Sequence, residues 1–186
     1  MIKITPFNGV MMGLVVTILF VITGVQFFYR SKQTMAMTIT SDLSTLKDII
    51  EKIDRTCRII SFDYFKNPIN FLTIKKGGFL GSEVGSMNLT HPENWEGPYV
   101  LDNLTIQGIE YQILHTNYGY FILPGDGVRL PNDKIIGKDI VLTEETDVRR
   151  LMNTEEGFMY GPYTCAVPLN LQINTFKVPL MPEDEL

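Results

Sequence analysis

Residues 4–29 read ITPFNGVMMGLVVTILFVITGVQFFY, 26 in a row without a charged side chain. A bilayer core needs roughly 20 apolar residues in helical form. A helix buried in a soluble protein would be shorter and would carry a polar stripe. A secretory signal peptide is the rival reading. Its apolar part runs about 7–15 residues and ends in a small-residue cleavage site. Here the run ends in QFFYRSK, aromatic and then basic, as at a membrane interface. A membrane-spanning helix is therefore predicted over residues 10–30. Lys3 and the N-terminal amine flank one end and Arg30 and Lys32 the other, so local charge does not orient it.

Downstream, Leu43, Leu46, Ile50, Ile53, Cys57 and Ile60 recur at spacings of three and four, the apolar face of an amphipathic helix. Ser41, with Asp42 after it, reads as an N-cap for that helix. Asp48 with Lys52 and Glu51 with Arg55 form i,i+4 pairs on the polar face. No proline interrupts residues 7–67, so span and amphipathic helix can form one rod, ended by Asn67-Pro68.

The remainder reads as strands and loops. Residues 77–99 are rich in glycine, serine and asparagine and close on HPENWEGPY, a loop with aromatic anchors. Trp95, beside a glycine-proline corner, is expected to plug a gap between loop and sheet with its N–H bonded. Strands are predicted at 99–101, 110–114 and 118–123, with HTNYG turning between the last two. The tail is hydrophilic at TEETDVRR and then apolar from residue 167, an edge strand broken by prolines. GPY occurs at 97–99 and again at 161–163, a coincidence rather than a repeat.

Several function classes are disfavoured. Net charge is −5 with no basic stripe, which argues against a nucleic-acid partner. No P-loop, GxGxxG, GxSxG or HExxH pattern is present, and His91 and His115 sit at turns, so no enzymatic activity is expected. Two cysteines make neither a disulfide scaffold nor a four-cysteine zinc site. Cys57 and Cys165 are candidates for one disulfide if the domain is exported; the alternative is that Cys57 is a buried small hydrophobe. Residues 123–140 carry Asp126, Asn132, Asp133 and Asp139 among glycines. Such a loop either offers hard oxygens to calcium or forms a polar hairpin with solvated aspartates.

PENWEGPYV at 92–100 resembles the P-x-N-W-x-G-P-Y-L segment of the major pseudopilin of type II secretion systems, within the type IV pilin-like family. GIEYQI at 108–113 is similar to that family's G-N-P-Y-Q-Y strand, and GYFILPGDGVRLPNDKI resembles its strand and calcium loop. The close match covers residues 92–141; the helical half matches in pattern.

The resemblance implies a pilin-like α+β fold, a long N-terminal helix packed on a small antiparallel sheet. It divides the chain into a candidate leader at 1–9, a transmembrane and filament-core helix at 10–30, an amphipathic continuation at 31–66 and a β-sheet and loop domain at 67–186. It implies leader cleavage between Gly9 and Val10 by a prepilin peptidase, assembly with copies of itself and with other pseudopilins on an inner-membrane secretion platform, and a domain outside the cytoplasm. It also implies a structural calcium ion held by the Leu123 carbonyl and the side chains of Asp126, Asp133 and Asp139.

The chain departs from the family pattern in several places: the candidate leader has one lysine, and Val10 follows Gly9 where the family usually carries phenylalanine. Leu14 stands at the mature fifth position, where the family carries a glutamate, and no acid occurs before Asp42. Lys134 lies where an acidic ligand is often found, and the segment after Leu142 is longer than usual. The expected role is a filament subunit in protein secretion; the alternative is an anchored, non-polymerising binding protein of the same fold.

Overall fold

The computed structural model describes residues 6–173, with side chains from Met11 onward. Residues 1–5 of the candidate leader and the acidic C-terminus lie outside the described residues. One helix, α1 (Pro6–Cys57), takes up 52 residues and runs through Gly9 and Val10 without a break. It also runs through Ser41, so the expected N-cap there is not made. Asp42 instead accepts a hydrogen bond from the Tyr111 hydroxyl at 2.8 Å.

The helix stops at Cys57 rather than continuing to 66. Arg58 takes a left-handed conformation, φ 55°, which ends a helix. The carbonyls freed at this end are taken up by the following chain: the His91 amide donates to Cys57 at 2.8 Å and the Thr90 amide to Arg58 at 2.9 Å. The Asp54 carboxylate, buried to 2%, accepts from the amides of Ile59 at 3.0 Å and Gln172 at 2.7 Å. Ile60, expected on the helical stripe, belongs to the next strand and is 52% exposed.

Two antiparallel sheets lie against the C-terminal half of α1. The smaller has the order β1-β4-β3 (β1 Ile59–Phe62, β3 Glu83–Val84, β4 Met87–Leu89). The larger has the order β10-β7-β6-β2 (β2 Lys66–Pro68, β6 Ile109–Thr116, β7 Gly119–Pro124, β10 Val167–Leu169), and β5 (Thr105–Ile106) pairs with the start of β6. A short hairpin, β8 (Met159–Tyr160) with β9 (Tyr163–Thr164), and a short helix, α2 (Val148–Met152), complete the fold. The class is α+β.

The expected strands at 110–114 and 118–123 form the centre of the sheet, joined by the Asn117-Tyr118 turn. The segment 99–101 forms no strand. The amides of Tyr99 and Val100 both turn to the Leu72 carbonyl, and Leu101 points to solvent. Residues 77–99, read as a loop, hold β3, β4 and a short 3-10 turn at Pro92–Asn94.

Successive strand residues point to opposite faces. Tyr111 reaches Asp42 on α1, whereas Gln112 reaches Asp126 in the loop after β7. Both faces are therefore covered, and residues 120–124 of β7 are buried without alternation. Ala36, Ile39, Leu43, Leu46, Ile50, Ile53 and Cys57 supply the helix side of the core, all buried to 2% exposure or less.

Trp95 is fully buried, donates its indole N–H to the Ile74 carbonyl at 3.0 Å and meets Phe79 and Tyr99 edge-on. Gly97 is required beside it. A Cβ there would lie 2.3 Å from the Ile74 carbonyl oxygen and 2.4 Å from the indole nitrogen.

Candidate functional site

The feature that sets this chain apart is the N-terminal half of α1. From Met11 to Tyr29 its large apolar side chains are exposed, and the described residues bury none of them. Its hydroxyls are internally satisfied. Thr17 donates to the Gly13 carbonyl at 2.9 Å and Thr23 to the Leu19 carbonyl at 2.8 Å. Those two hydroxyls, like the bonded backbone of a helix, bring no unpaired donor into hydrocarbon. Among the described residues, one helix is long and apolar enough to cross a membrane. Apolar surface of this extent is otherwise an association face.

Where this half meets the domain there is a groove of about 620 Å³. Phe28, Tyr29 and Lys32 of α1 form one wall, and Tyr160, Pro162 and Tyr163 of the β8–β9 hairpin form the other. Gly161, φ 57°, makes the turn at the hairpin tip. The hairpin is fixed to the helix by the Thr40 hydroxyl, 3.1 Å from the Thr164 carbonyl.

The aspartate loop has a different geometry from the one expected. Asp126 is engaged by the Lys66 ammonium at 2.6 Å and by the Gln112 amide at 3.3 Å. Asp133, φ 68°, pairs with Lys32 of α1. That ammonium, by its hydrogen bond first and its charge second, holds the Asp133 carboxyl below the usual carboxylate range. Asp139 turns back to accept the Ile135 amide at 2.9 Å. Leu123 is buried in β7 opposite Gln112.

Among the described residues no three acidic, histidine or cysteine side chains come together. Calcium requires six to eight oxygens, and a lysine ammonium on Asp126 opposes a cation there. Of the expected calcium ligands, Asp126, Asp133 and Asp139 each face a different partner, and Leu123 is buried in β7. Lysines from two other elements, Lys66 of β2 and Lys32 of α1, tie the loop down instead.

The two cysteines of the expected disulfide lie apart. Cys57 and Cys165 are both buried and free. Cys165 follows Thr164, which bonds Thr40; Cys57 lies 17 residues further along α1, about 25 Å at 1.5 Å per residue. A disulfide needs Cα atoms within about 7 Å. Burial pushes the Cys165 thiol up to about 12 and raises Cys57 as well, so neither is a ready nucleophile.

No family model, no curated protein and no solved structure matches the chain. Its function is therefore argued from its own geometry.

The lysines that hold the loop, and Gln112, were missed in the sequence because nothing local marks a pairing between residues as distant as Lys66 and Asp126. The hairpin had a signal in Gly161-Pro162, a dipeptide that marks turns.

Proposed function

We propose that the chain is a membrane-anchored structural subunit of a type II secretion pseudopilus or a related type IV-like filament, acting in protein secretion. The observation that carries this reading is the division of α1: one half belongs to the domain's core, and the other is apolar and left unburied by the described residues. Such a half is stable in a bilayer and equally stable against copies of itself, so a subunit can pass between membrane and filament. In this reading the N-terminus is cytoplasmic, the domain beyond residue 30 lies outside the inner membrane, and a prepilin peptidase cuts between Gly9 and Val10. Copies of the chain, other pseudopilins and the secretion platform are the partners.

The test is to overexpress the chain, shear the cells and sequence the N-terminus of the released material. Fibres of this chain beginning at Val10 support the subunit role. Protease added to spheroplasts should digest the domain, and its protection would refute the orientation.

Leu14 favours a second reading. An assembly lock between an acid and a neighbour's N-terminal amine cannot form with a leucine, and no acid precedes Asp42. A monomeric, membrane-retained protein with no fibres would make it an anchored pilin-like binding protein instead.

A further inference from the structure

We infer that the β8–β9 hairpin is a second membrane-contacting element, and that the groove between it and α1 takes a bilayer phospholipid. The inference rests on reading residues 10–29 as a bilayer span. Depth carries the argument. The groove is lined on the helix side by residues from Val25 to Gln33, and so straddles the point where the uncharged run ends. Helical rise is 1.5 Å per residue, so Val25 lies about 6 Å deeper than Tyr29. The headgroup layer is roughly 5–8 Å thick on each side of the hydrocarbon. The hairpin's base, where Thr164 meets Thr40, stands about 16 Å beyond Tyr29 and clear of that layer; its Gly161-Pro162 tip, which shares the groove with Val25, Phe28 and Tyr29, is the part that reaches it.

The hairpin has the chemistry for this depth. Gly161 and Pro162 are exposed at its tip, with half-buried Tyr160 and Tyr163 on either side. Tyrosine pairs an apolar ring with a hydroxyl that stays wet, which is why it gathers at membrane interfaces. Phe28 and Tyr29 present the same character from the helix, at 71% and 69% exposure. Lys32 stands at the groove, paired with Asp133, and exposed Arg30 lies just beyond the span, so cations sit at phosphate height. Glu155, the acid in the lining, is exposed. An acyl-glycerol shoulder fits against the aromatic walls with its phosphate toward the cations. The domain then rests on the bilayer through two elements, instead of standing off it on a bare helix.

The test uses the full chain in phosphatidylcholine–phosphatidylglycerol vesicles that contain lipids brominated along the acyl chain. A bimane is attached to a single introduced thiol, Pro162→Cys at the tip, Val16→Cys in the span or Leu101→Cys on an exposed loop. Cys57 and Cys165 are buried, and wild type treated with the same bimane confirms that they stay unlabelled. The expected result is strong quenching at position 16, clear quenching at 162 and none at 101. Quenching at 16 without quenching at 162 overturns the hairpin's role and leaves the span intact. No quenching at 16 refutes the span and the inference together. Equal quenching at 101 and 162 means general adsorption and also overturns it. Tyr160→Ser with Tyr163→Ser should then weaken quenching at 162 and leave that at 16 unchanged.

Discussion

The two halves of α1 share one backbone geometry and differ in what they offer their surroundings. Beyond Ala36 a single stripe is apolar, and the domain covers it; the remaining face is charged and wet. Before Tyr29 the helix is apolar all round, and the described domain buries none of it, facing it at the groove that begins at Val25. The difference shows that apolar content does not decide where a folded core ends. The angular spread of that content does, because a sheet can cover one stripe of a helix but not its whole circumference. Met35, half-buried between the two regimes, marks the change.

The sharpest ways to test that division act on the buried half. Trp95→Ala, at the far end of the core, should destabilise the domain by about 3–5 kcal/mol, read from denaturant unfolding. Leu46→Ala removes a side chain 1% exposed on the stripe and should cost about 2–5 kcal/mol, whereas Leu14→Ala, 59% exposed, should leave the unfolding midpoint unmoved. A midpoint that falls with Leu14→Ala would break the comparison.

On the other half the prediction reverses. Val16→Arg should leave domain unfolding alone but raise the cost of membrane insertion by roughly 2.5–3.5 kcal/mol, seen as loss from the membrane fraction. Lys66→Met should cost no more than about 1 kcal/mol, since the pair with Asp126 is partly exposed. Added calcium should not shift the wild-type midpoint; a shift abolished by Asp126→Ala would restore the metal site.

The smallest effect concerns the one ion pair that joins the halves' boundary to the loop. Lys32 lowers the Asp133 carboxyl, so the tether's contribution is complete above the ordinary carboxylate pKa. It fades as pH falls through the lowered one. Acid should loosen residues 130–136, giving a pH slope in loop hydrogen exchange that Lys32→Met removes.

The legible parts of this fold were those with a period. The uncharged run, the stripe from Leu43 to Cys57 and the central hairpin of β6 and β7 all carry patterns repeated over several residues. The illegible parts depended on distant partners. Lys52 does not close on Asp48 but reaches Glu96 at 2.8 Å, and Glu51 accepts the Asn170 amide at 3.1 Å. The strands β1 to β4 are two to four residues long, too short for alternation to show. The partners of the aspartate loop were hidden for a related reason. Its residue types suit a metal, but whether carboxylates converge is set by what else reaches them, and Lys66 and Lys32 arrive from elsewhere in the chain.

The grip of Glu51 and Asp54 on residues 170–172 has a mechanical consequence. It holds residues 170–172 beside the C-terminal end of α1, about 72 Å along the helix from its Pro6 end. Tension applied between that Pro6 end and residues 170–172 pulls along the rod and loads the two carboxylate–amide contacts in shear. In single-molecule stretching, Asp54→Ala should lower the first rupture force; an unchanged force would place the first yielding point elsewhere.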